Sequence, residues 1–182
     1  MTRTHLPGGD GSWDYVVPDP PHHRVFIARQ NRVMVADQDS GKLLGEVTGI
    51  QGAHGTAVTE SSGHGFATSG NDQSVVMFDL KTFQSLGRIP AAENADAILY
   101  DAPSNRVFTL NGDAHSSTVI DPKAGKAITN IPLGGKPEFR RNHRIFMAAA
   151  KFGEVPAVGR GRRPVLPATF SVLVIEQADG GR

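Results

Sequence analysis

The sequence predicts an all-β fold, a β-propeller of four-stranded blades with about four blade repeats in its 182 residues. Three observations carry the prediction. A strand ending in an acid recurs at a fixed period, short β-rich runs alternate with turn residues, and the two chain ends read as parts of one blade.

The period is the strongest of the three. RVMVAD, SVVMFD and STVID end at Asp37, Asp79 and Asp121, two intervals of 42 residues. A second strand precedes each of them: RVFIA from Arg24, HGFAT from His64 and RVFTL from Arg106, at intervals of 40 and 42. DQDSGK, DLKTFQ and DPKAGK read as turns, each leading to a final strand such as GKAITNIPLGG. The runs are short and rich in Val, Ile, Phe and Thr, with Gly, Pro, Asn and Asp between them, which is strand-and-turn patterning rather than helical patterning. Four such strands in about 42 residues make a propeller blade, whose first strand, DAILY from Asp96 in the third unit, lines the central channel.

The repeats divide a single domain, 1–182, into blades at about 10–49, 50–91, 92–133 and 134–182, with a closing strand at 3–9. FSVLVIEQ from Phe170 resembles the third strand of a blade, with Glu176 in place of the repeat's Asp, and THLPGG from Thr4 echoes NIPLGG from Asn130. Pairing of these N- and C-terminal strands would close the ring and remove an exposed sheet edge. The repeat places Val25, Phe26, Val75, Val76, Phe78, Val107, Phe108, Val119, Ile120, Ile145, Val172 and Val174 in the expected core between blades.

Composition narrows the chemistry. Without cysteine there are no disulfides, thiolate ligands or Cys nucleophile. No stretch approaches the ~18 apolar residues of a membrane span, and the opening Met1–His5 lacks the apolar core of a signal peptide, so an exported form is expected to have lost its signal. Residues 1–139 hold 11 Lys and Arg against 15 Asp and Glu, whereas 140–182 hold 8 against 3.

Repeat register also supplies the candidate site. Asp14, His54, Asp96 and Glu138 fall at intervals of 40, 42 and 42, each at the start of an innermost strand, and should therefore face one mouth of the channel. Three carboxylates and an imidazole suit a divalent ion such as manganese, zinc or calcium. The alternative is that each side chain bonds its own blade turn and water fills the channel. Trp13 and Tyr15 flank Asp14, so Trp13 is either a ligand-facing aromatic or, as the more expected role, buried between blades. His115, in the loop GDAHSS, shares the mouth face, while His22 and His23 lie in an exposed turn. A second candidate is the basic segment with Arg140, Arg141, Arg144, Arg160, Arg162 and Arg163, which could bind nucleic acid or another polyanion but lacks the aromatic interleaving of single-strand binders. No His-Glu-x-x-His helix, G-x-S-x-G elbow or phosphate-binding glycine loop is present.

The segments GDGSWDYV, GAHGTAV, SGNDQSVVMFDLKT, NADAILYDAPSNRVFTLNG, VIDPKAGKAITNIPLGGKPEF and LPATFSVLVI resemble the YVTN-repeat, YncE-like β-propeller family. That resemblance implies a seven-bladed binding propeller, periplasmic or secreted. The chain departs from it after Phe139, where five residues rather than nine separate Glu138 from the next strand at Arg144, as though about three blades were missing. Either four blades close alone or two chains share a larger ring as a homodimer. The sequence thus leads to a non-catalytic ligand-binding or scaffold propeller, for a small molecule or a protein. A metal-dependent enzyme built on the same four channel residues is the alternative, and polyanion binding is the third reading.

Overall fold

A computed structural model of the chain describes residues 12–137. Among the described residues, twelve strands form three antiparallel four-stranded sheets, each in simple sequential order. The first blade is β1 (Trp13–Asp19), β2 (Arg24–Arg29), β3 (Arg32–Asp37) and β4 (Leu43–Val47). The second is β5 (Thr56–Thr59), β6 (His64–Ser69), β7 (Ser74–Asp79) and β8 (Ser85–Pro90). The third is β9 (Ala95–Asp101), β10 (Arg106–Asn111), β11 (Ser116–Asp121) and β12 (Lys126–Pro132). Three one-turn 3-10 segments, 20–22, 60–62 and 70–72, sit in the connections. The expected closing strand at 3–9, the strand FSVLVIEQ and nearly all of the fourth repeat lie outside the described residues.

The acid at the end of each third strand has a local cause. Asp37 Oδ1 accepts the backbone N–H and hydroxyl of Ser40, Asp79 Oδ1 accepts the N–H groups of Lys81 and Thr82, and Asp121 Oδ1 accepts those of Lys123 and Ala124. An aspartate at this position therefore closes the turn into the fourth strand by satisfying backbone donors that would otherwise face water.

The blades pack face to face, with β1 beside β5 and β5 beside β9. Phe26, Ala28, Val33, Val35 and Val47 of the first blade meet Ala67, Val76, Phe78 and Leu80 of the second. Phe66, Val75 and Ile89, from the opposite face of the second blade, meet Ile98, Val107 and Ile120 of the third. Because successive side chains point to opposite faces, Phe66 and Ala67 serve different interfaces, as do Val75 and Val76. A blade covered on both faces reads as a continuous apolar run, which is the pattern of SVVMFD. Burying each large side chain contributes roughly 1.5–3 kcal/mol.

Two expected core residues differ. Val25 and Phe108 are only partly buried. Their neighbours Phe26 and Val107 face the second blade, so the two-residue alternation turns Val25 and Phe108 to the outer faces of the three-blade stack. Ile145, Val172 and Val174 lie outside the described residues.

Candidate functional site

The ladders of the first strands in the first and third blades are interrupted at the same repeat position, which in the second blade lies just before the first strand. In β1, Trp13 pairs with Arg29 and Val16 with Ile27, so Asp14 and Tyr15 together oppose Ala28. In β9, Ala95 pairs with Asn111 and Ala97 with Leu110, which leaves Asp96 as the extra residue. In the second blade Thr68 N–H bonds Gly55 O and Gly70 N–H bonds Gly52 O, with His54 in the interval between them. A bulge of this kind frees one residue from pairing and re-aims its side chain. The first and third blades use it, and the second places His54 just before its first strand, so all three present a polar residue at one end of the innermost strands.

The three side chains converge. His54 Nδ1 lies 2.8 Å from Asp14 Oδ2 and 3.6 Å from Asp96 Oδ1. A carboxylate only accepts, so Nδ1 carries the proton and donates it to Asp14. Asp14, His54 and Asp96 are 33%, 32% and 42% exposed, so the cluster is open to solvent. Partial burial pushes the Asp96 carboxyl above the usual carboxylate range; the charges of His54 and Lys136 pull it down and that of Asp14 pushes it further up. Lys136 Nζ donates to Asp113 Oδ1 at 3.0 Å, which adds a second ion pair near the mouth. Hydrogen bonds from Lys136 and Asn94 hold the Asp113 carboxyl below its usual range.

Two supporting residues had escaped sequence reasoning. Thr68 Oγ1 accepts the N–H of Gly55 at 2.9 Å and donates to the carbonyl of Asp96 at 2.9 Å, joining the His54 segment to the third blade. Gly70 packs so closely that a Cβ there would lie 3.3 Å from His54 Cδ2 and 3.1 Å from Ala95 O. The signal for Thr68 is weak in sequence, because it sits within the ordinary strand HGFATS.

The remaining expected site residues are placed as follows. Trp13 is 52% exposed rather than buried between blades; Arg29 lies over its ring at 3.7 Å from the centroid, and this cation–π contact holds it against its own sheet. His115 is exposed in the β10–β11 turn with left-handed φ, on the mouth side, without a hydrogen bond or ion pair to Asp14, His54 or Asp96. Glu138 and the arginines Arg140, Arg141, Arg144, Arg160, Arg162 and Arg163 lie outside the described residues. Among the described residues, the three metal-ligating side chains whose donor atoms all lie within 4.8 Å of one another are Asp19, His22 and Glu60, at the opposite ends of the inner strands. The Asp14, His54 and Asp96 triad is looser.

Four-stranded antiparallel blades stacked face to face, with their first strands adjacent, define a β-propeller fold. Solved structures share it. Kuenenia stuttgartiensis hydrazine synthase matches with a TM-score of 0.66 at 18% identity, over 75% of this chain and 40% of that one. U3-55K matches with a TM-score of 0.59 at 13% identity, over 70% and 41%. Apo AztD from Citrobacter koseri matches with a TM-score of 0.58 at 12% identity, over 73% and 39%. The chain thus spans about two fifths of the length of each. No protein-family model and no curated protein matches the sequence.

Proposed function

We propose that this chain is a non-catalytic binding propeller that takes a positively charged ligand at the channel mouth, between Asp14, His54 and Asp96. One observation carries the reading: repeat-equivalent positions at the start of the first strands of three blades bring two carboxylates to one imidazole. A carboxyl held above its usual range beside a second carboxylate is relieved by a cation, whether a divalent ion or an ammonium group. Calorimetric titration of the wild type and of Asp96→Asn with putrescine, and separately with manganese, zinc and calcium, tests it. A saturable binding component weakened at least tenfold by Asp96→Asn supports the proposal; no component of that kind with any of the four overturns it.

The finer assignments rest on the repeat. We place the chain in the YVTN-repeat, YncE-like family on the segments quoted above, and with it a periplasmic or secreted setting. A ring of four blades turns about 90° at each blade, whereas two chains sharing eight turn about 45°, nearer the packing of a seven-bladed relative. The proposed assembly is therefore a homodimer, and light scattering at twice 19.4 kDa is the expected result, with a strict monomer against it.

The 2.8 Å contact of Asp14 with His54 favours one alternative, a metal-dependent enzyme in which the carboxylate orients the imidazole as a general base. Elemental analysis of protein purified without added metal tests it. The enzyme reading requires a stoichiometric ion that Asp14→Asn and Asp96→Asn both remove, and protein without one counts against it.

A further inference from the structure

The face opposite the mouth carries a cluster that the proposed function does not use. Asp19 ends β1, His22 closes the 3-10 turn that follows, and Glu60 opens the corresponding turn of the second blade. Without an ion, His22 Nδ1 carries the proton it shares with Asp19 Oδ1 at 3.3 Å and Glu60 Oε1 at 3.1 Å, and a metal ion bound here would displace that proton to solvent. Ligands about 2.0–2.2 Å from a tetrahedral zinc ion stand about 3.3–3.6 Å apart, so the 3.3 Å separation matches a coordination edge and the 3.1 Å one needs an opening of a few tenths of an ångström.

The surroundings support the same chemistry. The Asp19 side chain is 3% exposed, and its second oxygen accepts Arg24 Nε at 2.6 Å. Arg24 is itself held by the carbonyl of Leu80 and lies over the rings of Phe26 and Phe83. The least mobile ligand is thus fixed by an outer partner, as metal-binding carboxylates commonly are. Around the cluster and its cleft, Asp19, Glu60 and Asp79 carry negative charge against the positive charges of Arg24 and Lys81. A cleft of about 400 Å³, bordered by His22, Glu60 and His64 among others, adjoins the cluster and gives an ion access and room for water ligands. His64 Nδ1 contacts the carbonyl of Pro122 at 2.9 Å and must donate to it, which leaves Nε2 as the nitrogen available to an ion on a residue that lines this cleft.

We infer that Asp19, His22 and Glu60 form a zinc-type divalent metal site that clamps the first blade to the second. Imidazole with carboxylates favours zinc or its first-row neighbours over calcium or magnesium, which take oxygen ligands. His22 and Glu60 come from different blades, so occupancy ties the two together and adds to stability by mass action.

The test uses the full chain, freed of metal, titrated with zinc by calorimetry and followed by melting temperature. The lower site is isolated from the mouth in the double variant His54→Ala, Asp96→Asn, where one zinc per chain and an increased melting temperature are expected. Adding His22→Ala, or separately Glu60→Gln, should weaken that binding by at least about 100-fold and abolish the thermal shift. Cobalt in place of zinc should give visible absorption bands that the same two changes remove. Zinc binding unaffected by both changes, or no zinc binding in the double variant, overturns the inference and leaves the mouth proposal untouched.

Discussion

Gly65→Ala probes the blade interface at a single atom. Gly65 on β6 pairs directly with Phe78 on β7, and the ring lies over the glycine. A Cβ at position 65 would stand 2.1, 2.3 and 2.7 Å from Phe78 Cζ, Cε2 and Cε1. Carbon atoms rest about 3.5–4.0 Å apart, so the ring would have to move by more than about 1 Å. It has nowhere to go. Phe78 is fully buried, and Phe26 of the first blade packs against it with ring centroids 5.9 Å apart. Overpacking typically costs about 1–3 kcal/mol, and a rigid ring trapped between two blades puts this site at the upper end. For a chain of this size about 3 kcal/mol lowers the melting temperature by roughly 6–12 °C. Gly134→Ala is the control, since nothing lies within 4 Å of its Cβ position, and it should change stability by less than about 0.5 kcal/mol. Circular dichroism melts of the two variants decide the matter; equal midpoints would refute the packing of Phe78 over Gly65.

Asp96→Asn should be more stable than the wild type at neutral pH. Burial, opposed by His54 and Lys136 and reinforced by Asp14, raises the folded carboxyl, so ionisation opposes folding and the wild type recovers as pH falls through the carboxylate range. Urea midpoints from pH 7 to pH 3 should show the gap closing below about pH 4, and a wild type more stable than the variant at pH 7 would contradict this. Asp79→Ala should behave in the opposite sense. Hydrogen bonds from the Thr82 and Lys81 N–H groups and the Thr82 hydroxyl lower the folded carboxyl, so its contribution is present above about pH 4 and lost as pH falls through the folded value. The variant is therefore weaker at pH 7 and should converge on the wild type in acid. Thr68→Val leaves the buried Gly55 N–H without its side-chain acceptor and should cost about 1–3 kcal/mol in denaturant unfolding. A neutral result would remove Thr68 from the support of the mouth.

The blades were legible in the sequence because each third strand ends in an aspartate whose turn chemistry cannot be supplied by an apolar residue, and that constraint marks the period. The approach of Asp14, His54 and Asp96 was legible because they share a repeat position, and equivalent positions become neighbours once blades stack. What closes the cluster was not. Thr68 is one hydroxyl in an unremarkable strand, and only the stacking of blades brings it to the carbonyl of Asp96. Trp13 was misjudged because Arg29, sixteen residues away, supplies a cationic cover that no local pattern announces. His22 and Glu60 escaped for a related reason. They occupy different positions within their repeats, so periodicity could not pair them.

Nitrogen-correlated NMR of the histidine side chains tests the central claim most directly, because His54 reports on the mouth and His22 on the opposite face. The account predicts that a charged mouth ligand, putrescine or a divalent ion, shifts the His54 imidazole saturably, and that Asp96→Asn suppresses the shift. With putrescine the His22 resonance should stay in place. A His54 signal that none of these cations moves, or that moves equally in Asp96→Asn, would contradict a ligand site at the channel mouth.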